Sequence, residues 1–270
     1  MDTRSARRTR PSPSSTQGDP NGPRSQAAPS STRGDPSRRP TRGSASSTTA
    51  TREASHGPAR GSELLARSRR GIAVIIDAWD THHCAGAQRQ IEENVSDLDA
   101  FLEERRREGF LVVHAPGGRV SAYRDHPSRA RLARRPVTRA RVRREKNHVA
   151  IPLPTGLPTL RGCVCDAYEQ CAPKRRIWTR QHEGLHIDRS DVVTDSLVEL
   201  RSLLRRPPEE AQIVGFHLNS CVLSRPLGWV RLSSWIANTM IVERLVWSFA
   251  PPEEEPRIRD ALRASGVPLV

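Results

Sequence analysis

Gly71-Ile-Ala-Val-Ile-Ile-Asp77 is a continuous apolar run that ends in an acid. Hydrophobicity that does not alternate marks a strand covered on both faces, as in a parallel sheet. The next segment carries Ile91, Val95, Leu98 and Leu102 at helical spacing and closes at Gly109, a suitable C-cap. Phe110-Leu-Val-Val-His114 then reads as a second buried strand. Strand, helix, strand is a βαβ unit, whose crossover is right-handed. Further along, Arg176-Ile-Trp-Thr179 reads as a short third strand. Thr194 or Asp195 suits the cap of a helix with Val198, Leu200, Leu203 and Leu204 facing inward. Ile213-Val-Gly-Phe216 is another buried strand, with the helix-start signal Asn219-Ser220 just beyond it. A helix over 222–235, a strand over Thr239–Val242 and a last helix over 253–264 complete the pattern. Alternating units predict an α/β fold with helices on both sides of the sheet.

Outward from this core the composition changes. Residues 1–62 are Ser, Thr, Pro, Gly and Arg without apolar periodicity, so they bury too little surface to offset their ordering entropy. They read as a disordered basic tail, with order beginning near Glu63 and the folded domain spanning 63–270. The domain holds an Arg-rich insertion at 119–150; Arg119–Arg144 alone has ten arginines against one acid, Asp125. A net charge of +14 attracts nucleic acid or acidic substrates non-specifically, but a solvated face is the preferred reading of such runs. No apolar run is long enough to cross a bilayer, and no secretory h-region is visible. Five cysteines cannot all pair internally, which suits a reducing, cytoplasmic setting.

In open α/β sheets, chemistry gathers at the carboxyl ends of strands. Asp77, Arg180 with Gln181, and Cys221 all fall there. Cys221 at a strand–turn–helix mouth faces helix N–H groups and the positive end of a dipole, which favour thiolate and can hold an oxyanion. A buried structural cysteine is the other reading. Asp77 suits a general base, or a turn acid; Arg180 supplies only positive charge. His114 and His217 also end strands, where a satisfied core histidine is the commoner outcome. Asp80, His82, His83 and Cys84 are metal-ligand types, and Cys163, Cys165, Asp166 and Cys171 add more. These residues do not make a recognised CxxC…CxxC pattern, so a zinc or other divalent ion stays open beside a disulfide or inert thiols.

Four segments in order resemble the isochorismatase-like cysteine hydrolases, a family that includes nicotinamidases, and in particular a subgroup of unknown substrate. They are Asp77-Ala-Trp-Asp-Thr-His-His-Cys84, then His114-Ala-Pro116 with Tyr123 and Pro127-Ser-Arg129, then Trp178-Thr-Arg-Gln181, and last Asn219-Ser-Cys-Val-Leu-Ser-Arg-Pro226. The resemblance implies a three-layer α/β/α fold with a mostly parallel sheet of about six strands. It implies an Asp–Lys–Cys triad, matched here by Asp77 and Cys221, with Arg180 standing where the family has its lysine. It implies a cis peptide at Phe216-His217 and an oxyanion site made by the N–H groups of Ser220 and Cys221. Trp79, His114, Gln181, His217 and Asn219 are the candidate lining of the substrate pocket. The implied activity is hydrolysis of an amide or related acyl bond of a small molecule, anionic if the Arg-rich insertion covers the pocket. No cofactor is required by it, and a homo-oligomer is expected. An inactive binding protein on the same fold, or a nucleic-acid-associated protein using the Arg-rich segments, are the alternatives.

Overall fold

The computed structural model describes residues 70–133, 153–157, 163–165, 171 and 177–270. The tail over 1–62, the start of the domain over 63–69, the insertion beyond residue 133 and Asp166 lie outside the described residues.

The chain runs β1 (Gly71–Ile76), α1 (Ala85–Arg107), β2 (Leu111–Ala115), a 3-10 turn (Val120–Tyr123), α2 (Pro127–Ala133) and β3 (Val192–Val193). It continues through α3 (Leu197–Leu204), β4 (Glu210–Phe216), α4 (Cys221–Ser224), α5 (Trp229–Leu232), β5 (Asn238–Trp247) and α6 (Glu255–Ala264). The described strands form a five-stranded sheet in the order β3-β2-β1-β4-β5. Every pairing in it is parallel.

β1 lies at the centre because its run is apolar on both faces. Ile72, Val74 and Ile76 pack on the side that carries α3 and α6, through Leu200, Leu204, Ile258 and Leu262. Ala73 and Ile75 pack on the opposite side, against Ile91, Val95, Leu98 and Leu102 of α1. This alternation places helices on both sheet faces, an α/β/α arrangement. Each fully buried isoleucine contributes on the order of 1.5–3 kcal/mol.

Several local expectations need correction. The Arg176–Thr179 strand does not form over its described part, residues 177–179. Trp178 instead stacks on Trp79, with ring centroids 4.0 Å apart, and the segment touches the chain leaving β1 through one antiparallel bridge, Trp79–Gln181. The sheet position falls to the two-residue β3, so five strands are described rather than about six. The helix expected over 222–235 is two single turns, because Pro226 disfavours helical geometry at Arg225, which is extended at ψ 159°. The α3 cap is Ser196, whose side chain accepts the Glu199 N–H at 3.2 Å. Thr194 and Asp195 are used elsewhere, Asp195 accepting the N–H groups of Gly117 and Gly118.

The ends of β1 and β4 come unusually close. Gly215 has φ +113°, and a Cβ there would lie 2.2 Å from the Ile76 carbonyl oxygen. Only glycine permits that approach. The next peptide, Phe216-His217, is cis, as the resemblance implied.

Candidate active site

Asp77 is the first residue beyond β1 and is 1% exposed. Its backbone is left-handed, φ 53°, a conformation few residues other than Gly, Asn and Asp adopt. Its N–H donates to the Ala115 carbonyl at 3.1 Å. Arg225 Nε donates to its Oδ2 at 2.7 Å. The other oxygen, Oδ1, is buried without a hydrogen-bond partner among the described residues and packs against Gly117, where a Cβ would lie 2.2 Å from it. The Cys221 thiol donates to Ser220 Oγ at 3.9 Å and lies near enough to the same carboxylate for the two to shift each other's ionisation. Acid and thiol, separated by most of the domain in sequence, thus meet across the C-terminal ends of β1 and β4.

The electrostatics are those of a protonated thiol beside a carboxylate. Burial pushes the Asp77 carboxyl up to about 6, against the pull of the Arg225 charge and the hydrogen bonds from Cys221 and Arg225. Burial first, then the Asp77 charge, push the Cys221 thiol up to about 12, with Arg225 acting in the opposite sense. The expected thiolate at a helix start is therefore corrected. α4 has four residues, too short for a strong dipole, and the neighbouring carboxylate dominates.

The cation on Asp77 is Arg225, not Arg180. Arg180 is exposed, and its carbonyl accepts the Asp80 N–H at 3.1 Å. Arg225 follows Cys221 by one helical turn, its N–H donating to the Cys221 carbonyl at 3.0 Å, and its guanidinium lies 5.8 Å from the Trp79 ring centroid. It stood in the quoted Asn219–Pro226 segment, and its i+4 spacing from Cys221 was the signal that could have found it.

The oxyanion reading also changes. The Ser220 N–H is taken by the His217 carbonyl at 3.0 Å, as is the Val222 N–H at 3.1 Å. That tight turn leaves the Cys221 N–H without a backbone acceptor among the described residues.

Of the expected pocket residues, Trp79 and His217 stay beside the acid–cation pair. His217 sits edge-on to Trp79, centroids 6.0 Å apart. Burial, then the nearby His82, Arg225 and His83, hold its ring neutral. Asn219, His114 and Gln181 are committed to the fold. Asn219 brackets Phe249, accepting its N–H at 2.8 Å and donating to its carbonyl at 3.3 Å. Gln181 Nε2 donates to His114 Nδ1 at 3.1 Å. His114 Nε2 then carries the proton and donates to Asp191 Oδ2 at 3.0 Å, an assignment made from the network. Asp80 holds Thr179 rather than a metal, accepting its N–H and its hydroxyl. A separate groove of about 490 Å³ between α1 and β5, lined by Phe101, Arg105 and Met240 among others, includes none of these strand-end residues. Among the described residues no helix is long and apolar enough to cross a membrane.

No family model matches the sequence, and no curated protein matches it. Among solved structures, the chain is similar to an isochorismatase family protein from Desulfovibrio vulgaris subsp. vulgaris str. Hildenborough, at 17% identity and TM-score 0.39, over 75% of this chain and 93% of that one.

Proposed function

We propose that this protein is an isochorismatase-like cysteine hydrolase that cleaves an amide or related acyl bond of a small molecule. The observation that carries the reading is the buried Asp77 carboxylate, held by Arg225 and electrostatically coupled to the Cys221 thiol at the neighbouring strand end. Asp77 takes the thiol proton as sulfur attacks the substrate carbonyl. The Cys221 N–H faces the oxyanion. Collapse of the tetrahedral adduct breaks the C–N bond, and Asp77 returns the proton to the departing amine, leaving a thioester on Cys221. Asp77 next accepts a proton from the attacking water. The C–S bond breaks, the acid product leaves, and the proton returns to sulfur. A carboxyl near 6 is ionised at neutral pH yet basic enough for this exchange. Arg225 keeps Asp77 oriented and offsets its charge while the thiol ionises.

The test is acylation by p-nitrophenyl acetate followed by peptide mapping. A burst that leaves an acetyl group on Cys221, with a rate that falls below about pH 6 as Asp77 protonates, supports the proposal. Acetylation no faster than in unfolded protein, or unaffected by pH near 6, overturns it in favour of a binding protein on the same scaffold. The raised thiol is the observation on that side.

Gly117→Ala probes the geometry around Asp77 Oδ1. Its Cβ would fall 2.2 Å from that oxygen at φ +61°. The carboxylate must move, so kcat/KM for the acyl substrate is expected to fall about 100-fold. Stability is expected to fall by about 1–2 kcal/mol from the left-handed backbone alone. Steady-state kinetics and urea titration check both.

A further inference from the structure

Four cysteines that the proposed reaction does not use converge at one point. Cys84 is the residue before α1, and Cys163, Cys165 and Cys171 come from the segment between α2 and β3. Their Sγ atoms all lie within 4.8 Å of one another. Cys84 is 3.5 Å from Cys163 and 3.6 Å from Cys165. Cys171 is 3.1 Å from Cys163 and 3.5 Å from Cys165. A tetrahedral ion with metal–sulfur bonds of about 2.3 Å has sulfur–sulfur edges of about 3.8 Å. Three of these four edges need to open by about 0.2–0.3 Å and the Cys163–Cys171 edge by about 0.7 Å.

The surroundings also fit. Three backbone N–H groups point at the sulfurs: Gly86 to Cys165 at 3.1 Å, Val164 to Cys84 at 3.3 Å, and Cys165 to Cys163 at 3.3 Å. Such donors orient metal-bound thiolates and spread their charge. Cys84 and Cys163 are buried in a small apolar cluster with Ala87, Val164 and Phe249, with Cys165 and Cys171 packed against it. His82 is not a ligand here, because its Nδ1 accepts the Cys84 N–H at 3.0 Å and positions that residue.

We propose that Cys84, Cys163, Cys165 and Cys171 bind one zinc ion. Four protein sulfurs fill a tetrahedral shell and leave no open position, so the role is structural. Binding replaces up to four S–H bonds with zinc–sulfur bonds and releases the corresponding protons to solvent. The ion would tie Cys163, Cys165 and Cys171 to the start of α1. It would thereby anchor the far end of the connection that begins at Asp77. The proposal does not depend on Cys221 acting as a nucleophile.

The full-length protein, produced in zinc-supplemented medium, is expected to carry one zinc per chain by elemental analysis. Replacement with cobalt is expected to give thiolate-to-metal charge-transfer bands and the intense visible bands of a tetrahedral site. The denatured, chelated protein is expected to show all five thiols free. Cys163→Ser is expected to lose the metal, Cys171→His to keep it, and Cys221→Ser to keep it. Zinc well below one per chain, iron in its place, or fewer free thiols because cysteines have paired, each overturns the proposal. These readouts use the wild-type chain, so they hold even if Cys163→Ser fails to fold.

Discussion

Asp77→Asn is expected to cost about 100- to 10,000-fold in turnover and yet make the protein more stable at pH 8. The two effects share one cause. The folded protein binds the Asp77 proton more tightly than the unfolded chain does, since the carboxyl moves from 3.8 to about 6 on burial. Ionising it therefore weakens the fold as pH rises from about 4 to about 6, by about 3 kcal/mol at full ionisation. Asparagine removes that charge while keeping the shape, and it tolerates the φ of 53° found here. Urea unfolding of the two proteins at a series of pH values checks this. The variant's advantage is expected to be full above pH 7 and to vanish near pH 4, where wild-type Asp77 is itself protonated. A variant equally destabilised at every pH would show that the Arg225 ion pair outweighs burial, and the account of a strained acid would fail.

Much of this architecture was legible because its signals are local. β1, α1 and β2 declare themselves by apolar runs and spacing that survive any tertiary context. β3 does not, because Val192–Val193 is two residues long and owes its place to pairing with Val113 and His114. Arg176–Thr179 misled for the converse reason. Ile177 and Trp178 have strand propensity, but Trp178 finds its partner in Trp79 rather than in the sheet. The site divides the same way. Asp77 and Cys221 stand at recognisable strand ends. From sequence Arg180 alone reads as the cation and Arg225 goes unnoticed, although its place one helical turn from Cys221 brings it onto Asp77. The thiol's protonation was invisible from position, since burial and a carboxylate contributed by another strand set it. Cys84, Cys163, Cys165 and Cys171 were all legible as ligand types, but which of the candidates come together was not, since Cys84 meets Cys163 across 79 residues, far outside any short metal motif.

Distance along the chain also hid a buried polar network, and Asp191→Ala is expected to expose its weight. Asp191 is 1% exposed and accepts Arg106 through both oxygens, at 3.1 and 2.8 Å. It also takes the His114 proton and the Asp188 N–H. Burial alone would raise its pKa, but the hydrogen bonds from His114 and Arg106 and the Arg106 charge outweigh it and hold the carboxyl below the usual range. This group therefore stabilises the fold above its unfolded pKa, and the contribution is lost as pH falls through the lowered folded value. Alanine leaves the Arg106 guanidinium, whose side chain is 8% exposed, with the exposed Glu103 at 3.3 Å as its only carboxylate among the described residues, and His114 without its acceptor. Breaking a buried pair in this way costs about 3–5 kcal/mol. Urea titration at pH 7 is expected to show that loss, with a smaller one for Asp191→Asn, which keeps an acceptor. The gap between wild type and the alanine variant is expected to narrow only as pH falls below the ordinary carboxylate range, where Asp191 gains its proton. A loss under about 1 kcal/mol at pH 7 would mean that solvent reaches the network freely, contrary to its burial. The consequence extends to Asp77. His114 holds Gln181, and Gln181 pairs with Trp79 in the connection that leaves β1. An unfolding penalty at Asp191 should therefore come with a lower Cys221 acylation rate, carried through Gln181 and Trp79 to the carboxylate two residues before Trp79.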